Sequence, residues 1–195
     1  MKNLFFLILW TQNYLVCNLD LKEYNKAMIQ EPKYTLIKQE NAFELRHYQS
    51  YTLVEAKDSD LRGYRGFQIA FDFIQGENDR NQKISMTAPV VNQLDEEGVI
   101  TTAFVMPPQM KFDDVPEPSM SNLKKIFVPE KIVAVVRFGF SPKMDSIRKY
   151  EQSLHEWIDQ QNYTVVGLLQ LARYNPPFIP GFLKRNELWL EVIPK

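Results

Sequence analysis

Three groups of side chains in this sequence have the chemistry to hold a ligand. The first is His47, within Glu44-Leu45-Arg46-His47-Tyr48. Strand alternation sets Phe43, Leu45 and His47 on one face and Glu44, Arg46 and Tyr48 on the other. An imidazole in that apolar company either hydrogen-bonds as a half-buried strand residue or ligates a metal. The second group is an aromatic edge, Tyr64, Phe67 and Phe71, spaced i, i+3 and i+7 along a predicted helix. With Gly66, Ile69, Ala70, Phe73 and Ile74 it widens the apolar arc to roughly 220°, whereas packing once on a sheet takes about 100°. The surplus edge therefore expects a cover, whether ligand, loop, partner subunit or ordinary core. The third group lies in Tyr174 to Glu187, which is apolar where a loop should be polar: Phe178, Ile179, Phe182 and Leu183, then Lys184 and Arg185. An apolar wall beside two cations suits an amphiphile with carboxylates at one edge. The plainer reading of Lys184-Arg185 is a solvated turn.

Signatures of catalysis are missing. Gly63 and Gly66 fall inside the predicted helix and make no phosphate loop. The sequence holds no His-Glu-x-x-His, Cys-x-x-Cys or Gly-x-Ser-x-Gly. Ser153 and His155 are two apart on a helix, hence on different faces. The acid pairs Asp58/Asp60, Glu96/Glu97 and Asp113/Asp114 fall in predicted turns, where solvation explains them. Two other function classes stay open. An enzyme or effector-binding domain acting on a hydrophobic small molecule would use Glu44 or Glu187 with Tyr64 as acid and base. A protein-interaction module would use the Phe-rich edge.

Composition narrows the field further. The chain has 195 residues, with Lys+Arg 23 against Asp+Glu 24 and a net charge of −1. No basic block favours a nucleic-acid partner, and no acidic tail or polybasic membrane patch is present. A single cysteine, Cys17, excludes an internal disulfide and any multi-cysteine metal cluster. Thirteen Phe, nine Tyr and three Trp suit either a dense core or a cavity for a flat apolar ligand. At the N-terminus, Lys2 precedes Leu4-Phe5-Phe6-Leu7-Ile8-Leu9-Trp10, which is too short for a membrane span and reads as a signal segment over residues 1–19. That predicts export to a periplasm or cell envelope, with a cytoplasmic location as the alternative. Any tie to a membrane would run through this leader or through lipid on Cys17, although Val16 is bulky for the residue before a lipidated cysteine.

A polar linker, residues 20–32, leads into a single domain over 33–195. Strands are predicted at Tyr34 to Gln39, Phe43 to Tyr48 and Tyr51 to Lys57, with turns at Asn41 and Ser50. A helix follows from Arg62 to Gln75. Strands at Val90 to Leu94 and Val99 to Met106 flank the turn Asp95-Glu96-Glu97-Gly98. Four prolines, Pro107, Pro108, Pro116 and Pro118, make the next segment irregular. The order then repeats: strands Lys125 to Val128 and Ile132 to Phe138, a helix opened by Ser141-Pro142 and running to about Gln160, then strands Tyr163 to Tyr174 and Leu188 to Ile193. Met86, Ala88 and Val90 alternate with polar neighbours as the start of a strand. Such repetition predicts an α+β fold of duplicated strand–helix–strand–strand halves.

Several strings resemble one family in the same order. A helix ending in Ile74-Gln75-Gly76-Glu77-Asn78 is followed by Lys83-Ile84-Ser85-Met86-Thr87-Ala88-Pro89-Val90. Tyr174-Asn175-Pro176-Pro177 and Arg185-Asn186-Glu187-Leu188-Trp189-Leu190 come later. Together they resemble the SOUL haem-binding family over roughly residues 33–193. The resemblance implies a distorted antiparallel β-barrel with two flanking helices. It also implies non-catalytic binding of haem or another porphyrin in an apolar pocket between the first helix and the loop before the last strand. That pocket would take Tyr64, Phe67 and Phe71 from the helix, and Phe178, Phe182, Lys184 and Arg185 from the loop. Met86 would add an adaptable thioether contact. His47 stands where some members are proposed to ligate the haem iron, while others lack that histidine and hold the ring by apolar contact.

The leader generates a test of address. Expressed in a bacterium with residues 1–20 intact, the protein is expected in the envelope fraction with a mature start near Cys17. Release by Cys17→Ser into the soluble periplasm would identify lipid as the anchor, and an uncleaved cytosolic product would refute export.

Overall fold

The computed structural model describes residues 30–57, 64–95 and 98–195. The predicted leader with Cys17, residues 20–29 of the linker and the acidic pair Glu96-Glu97 lie outside them. The first half of the chain supplies β1 (Tyr34–Glu40), β2 (Phe43–Tyr48), β3 (Tyr51–Lys57), helix α1 (Tyr64–Gln75), β4 (Val90–Leu94) and β5 (Val99–Val105). The second supplies β6 (Leu123–Val128), β7 (Lys131–Phe138), helix α2 (Met144–Gln160), β8 (Tyr163–Val165), β9 (Gln170–Arg173) and β10 (Asn186–Pro194).

All ten strands join one antiparallel sheet in the order β1-β2-β7-β10-β9-β4-β5-β3-β6, with β8 added beside β10. The duplication is visible in this order. One half pairs β3 with β5 and β5 with β4; the other pairs β7 with β10 and β10 with β9. The halves meet where β4 lies against β9. Each half also lends its leading strand to the other, since β2 pairs with β7 and β6 with β3. The path stays open between β1 and β6, a distorted barrel without full closure. Lysines (Lys38, Lys124, Lys125) and a register shift at Leu36/Lys38 blunt these two edges against further pairing.

Period-two alternation gives the sheet two buried faces. On one, α1 covers Val54, Ala56, Phe104 and Leu123, and α2 covers Leu45, Val136, Leu171 and Leu190. The other, inner face gathers Tyr48, Val91, Ala103, Val133, Val135, Ala172, Tyr174 and Trp189 from both halves. Neither α1 nor α2 covers it, and among the described residues the sheet buries it by curling.

The segment after α1 shows what its motif does. Asn78, fully buried, donates its amide to the Phe73 and Gln82 carbonyls (2.9 and 2.8 Å) and accepts from the Arg80 and Gln82 N–H groups (3.2 and 3.0 Å). That closes the turn for which Gly76, at φ 118°, supplies the left-handed residue. The buried Thr87 hydroxyl then donates to the Val105 carbonyl, tying the string to β5. The strand itself begins only at Val90; before it the Ile84 N–H donates to the Ile74 carbonyl at 2.8 Å and Thr87 supplies its single side-chain bond.

Two other expectations differ in detail. Helix α2 begins at Met144, not at Ser141-Pro142: the Ser146 hydroxyl accepts the Lys143 N–H at 3.1 Å and so takes over the cap. The strand expected over Tyr163 to Tyr174 is broken into β8 and β9. A Cβ on Gly167 would lie 3.0 Å from the Glu191 Cβ, so at that position the chain passes β10 too closely for a side chain, and pairing there is reduced to the single Val166 N–H donated to the Glu191 carbonyl. Gly167→Val is expected to lower stability by about 1–3 kcal/mol through that overlap, read as a shift of the urea midpoint; an unchanged midpoint would mean that β10 yields freely.

Candidate functional site

At the inner face a carboxylate sits where apolar side chains would be expected. Glu187, on β10, is fully buried beside Arg46 of β2, which is equally buried. Arg46 donates to it through both terminal nitrogens (2.8 and 3.0 Å), Arg185 through Nε at 2.9 Å, the Tyr174 hydroxyl at 2.9 Å and the Trp189 indole at 2.8 Å. Arg46 also donates to Glu44 at 2.7 Å and to the Tyr48 hydroxyl at 3.0 Å. Aromatic faces cover both cations: Arg46 lies 4.5 Å from the Tyr34 ring centre and Arg185 3.6 Å from that of Tyr174. Burial alone would raise the Glu187 pKa. The Arg46 hydrogen bonds, the Arg46 and Arg185 charges and the Trp189 indole overcome it, and the pKa falls to about 2. Burial likewise raises the Tyr48 and Tyr174 hydroxyls, which stay protonated, Tyr48 accepting from Arg46 and Tyr174 donating to Glu187. With every lone-pair direction taken, Glu187 has none left for a substrate proton.

Open space lies on the opposite, helix-bearing face, where the two halves meet. A cavity of about 480 Å³ runs from the start of α1 to the start of α2. Tyr64 borders it from α1, Met144 and Ile147 from α2, and Leu171 and Arg173 from β9. Leu94 and Val99 close one end, while Pro177 and Lys184 come from the segment between β9 and β10. Among its described lining residues there is no Asp or Glu. Lys184 donates to the Pro177 carbonyl at 3.0 Å and reaches the Ser141 hydroxyl at 3.5 Å. Beside the cavity, Phe140, Phe178, Phe182 and Leu183 are all more than half exposed.

The side chains singled out from sequence do not all converge. Tyr64 and Lys184 share the cavity. Phe67 and Phe71 stack on one another at 6.0 Å further along α1, where Phe67 meets Phe104 edge-on. Met86 is partly exposed on the loop after α1, and Phe178 and Phe182 point to solvent. Arg185 turns to the inner face and binds Glu187 and Glu31. His47 stands at the far end of β2, opposite Thr35 and Ile132, with its side chain 42% exposed and Nε2 3.8 Å from Glu130. Sequence reasoning missed Arg173 and the α2 residues Met144 and Ile147. A signal for Arg173 was available, since alternation puts it on the same face as Leu171, a cation on an apolar stripe.

This architecture has known relatives. The model of the SOUL heme-binding protein family matches residues 29–191. The chain belongs to that family. It is 27% identical over 172 residues to human "Heme-binding protein 2" and 33% identical over 164 residues to the mouse protein of that name, covering 78% of each chain in both cases. Its fold is also that of the EcmrR C-terminal domain, with a TM-score of 0.56 at 12% identity over 83% of this chain and 99% of that one.

In this SOUL protein the Glu187 cluster generates a pH prediction. A carboxylate held near 2, against an ordinary 4.5, contributes stability above pH 4.5 that is lost as pH falls toward 2. The shift corresponds to on the order of 3 kcal/mol. Glu187→Gln is expected to cost about 3–5 kcal/mol near neutral pH by removing the buried counter-charge that Arg46 and Arg185 share, leaving each only its outer partner, Glu44 or Glu31. The urea midpoint, followed by tryptophan fluorescence, should then fall less between pH 6 and pH 3 in the variant than in the parent. Equal falls would remove Glu187 as the source of the acid sensitivity.

Proposed function

We propose that this SOUL-family protein binds haem or a related porphyrin without catalysing its conversion, in the cavity between the starts of α1 and α2. The supporting observation is that cavity itself, apolar and free of acids among its described lining residues. Its size falls within the usual range for small-molecule sites, about 300–1,000 Å³. Met144, Ile147 and Leu171 offer contact to the faces of a flat ring, and Tyr64 adds an aromatic one. Lys184 supplies a counter-charge for a ring carboxylate, and the exposed Phe178 and Phe182 widen the apolar approach. The names of the human and mouse relatives support haem as the ligand class.

Fit to the iron differs from fit to the ring. Among the described lining residues there is no imidazole or thiolate, and Tyr64 and Met144 are the side chains with an oxygen or sulfur of use to iron. Bound haem would bring its own iron centre, and the chain's part is to shelter the macrocycle and match its charge. In this reading His47, at the exposed end of β2, is a strand residue paired with Glu130.

Haemin titration followed at the Soret band tests the reading. Saturation near one equivalent is expected, with Met144→Glu losing at least about tenfold in affinity because the new charge must be desolvated against the ring. Met144 is 39% exposed, so the free protein tolerates the change. His47→Ala should leave spectrum and affinity within about twofold, well inside 1.4 kcal/mol. A histidine-ligated spectrum abolished by His47→Ala, or full affinity in Met144→Glu, would put the ring elsewhere.

A further inference from the structure

The strongest unassigned feature of the molecule is an arginine without a counter-charge among the described residues. Arg173 is the last residue of β9, opposite Val90 of β4 and Asn186 of β10, and it enters the cavity from the sheet. Its Nε is buried and has no hydrogen-bond partner. Burial with no facing carboxylate pushes its pKa down from the ordinary arginine value, with only the Tyr64 hydroxyl acting against it. The contrast within one fold is sharp. Arg46 and Arg185 are also taken from water, but each meets Glu187 and a further carboxylate. Arg173 meets none. On the same sheet face, diagonal to it across the β4–β9 pair, the Asn92 Oδ1 atom also lacks a partner, although Asn92 is 1% exposed. These two orphaned atoms both fall at the seam between the halves, beneath the gap left by the helices. Unpaired buried polar groups destabilise a fold, and a guanidinium does so most. Retention at a cavity wall is expected where a ligand completes the pairing.

We propose that Arg173 is the anion anchor of the cavity and recognises a carboxylate at the edge of an apolar ligand, with Lys184 as a second, rim-side cation. This inference names the recognised group of the site proposed above and rests on that placement. Geometry favours a carboxylate because the guanidinium fork offers parallel N–H groups that match its two oxygens. A neutral ligand of the same shape would leave the fork unpaired. For a porphyrin, the group recognised is a side-chain carboxylate on the ring.

The test compares protoporphyrin IX, its dimethyl ester and dodecanoate on the full chain, by fluorescence for the porphyrins and calorimetry for the fatty acid. Wild-type protein is expected to bind the free acid 10- to 100-fold more tightly than the ester, the scale of one charge-assisted hydrogen bond. Arg173→Gln should remove that preference by weakening the acid alone, and Arg173→Lys should restore part of it. Without ligand, Arg173→Met should raise Tm, because an unmatched cation leaves the interior. Equal binding of acid and ester by the wild type, or a lower Tm in Arg173→Met with acid binding intact, would overturn the anchor while leaving the porphyrin reading in place. Binding of dodecanoate that depends on Arg173, with no binding of either porphyrin, would keep the anchor and refute the porphyrin reading. Failure of all three probes would overturn both. The ester comparison needs no variant, so it stands even if a substitution fails to fold.

Discussion

Glu187 and the cations around it set the arrangement of the inner face. The carboxylate stands on β10, Arg46 arrives on the strand that the first half lends to the second, and Arg185 arrives from the segment before β10. Taking such charges from water costs several kcal/mol per ion, so the cluster is stable only while every donor is matched. Tyr174 and Trp189 donate to Glu187, while Tyr48, Glu44 and Glu31 accept from the two arginines. Alternatives to the observed pairing are disfavoured as a result. A slip of β2 by one residue would turn Arg46 to the helix side and leave Glu187 without its main partner.

That cluster also explains where ligand space remains. A curled antiparallel sheet offers its inner face as the obvious place for a small molecule. Here paired charges and aromatic rings fill one end of the inner face, with Tyr48 5.2 Å from Trp189 and Tyr34 5.1 Å from Tyr48, and a smaller opening of about 180 Å³ remains at the other, beside Tyr51, Leu53, Val91 and Ala103. The helix-bearing face is different. The two helices pack on different parts of that face, and the cavity opens between their starts, beside Leu94 of β4 and Leu171 and Arg173 of β9. Duplication thus creates the cavity: two copies of one unit, joined edge to edge, leave a gap where the helices part. Arg173 stands in that gap because β9 is one of the two seam strands.

The same view separates residues that look equivalent in the chain. Lys184 and Arg185 are neighbours, yet one borders the cavity and the other completes the inner cluster. As the chain enters β10, successive side chains point to opposite faces, so adjacent cations meet different environments. Tyr64, Phe67 and Phe71 divide similarly. They share one edge of α1, but Tyr64 at its start borders the seam while Phe67 lies over Phe104.

Local pattern alone specified much of the scaffold. Alternation located β2, β3 and β4 to the residue, helical spacing located α1 and α2, and their repeated order revealed the duplication. These are short-range properties, set by side-chain period and by the few residues that suit turns. The family strings were legible too, and Asn78 and Thr87 show why: each satisfies buried backbone groups at a fixed spacing. What the tertiary structure alone decided is partnership. Gln49-Ser50 and Pro129-Glu130 are short links that suggest hairpins, yet β2 pairs with β7 and β3 with β6. Which carboxylate neutralises Arg46, and that no described carboxylate neutralises Arg173, follows from contacts between residues far apart in the chain. Period and propensity carry no information about such contacts, because burial of charge depends on what the rest of the fold brings to its side.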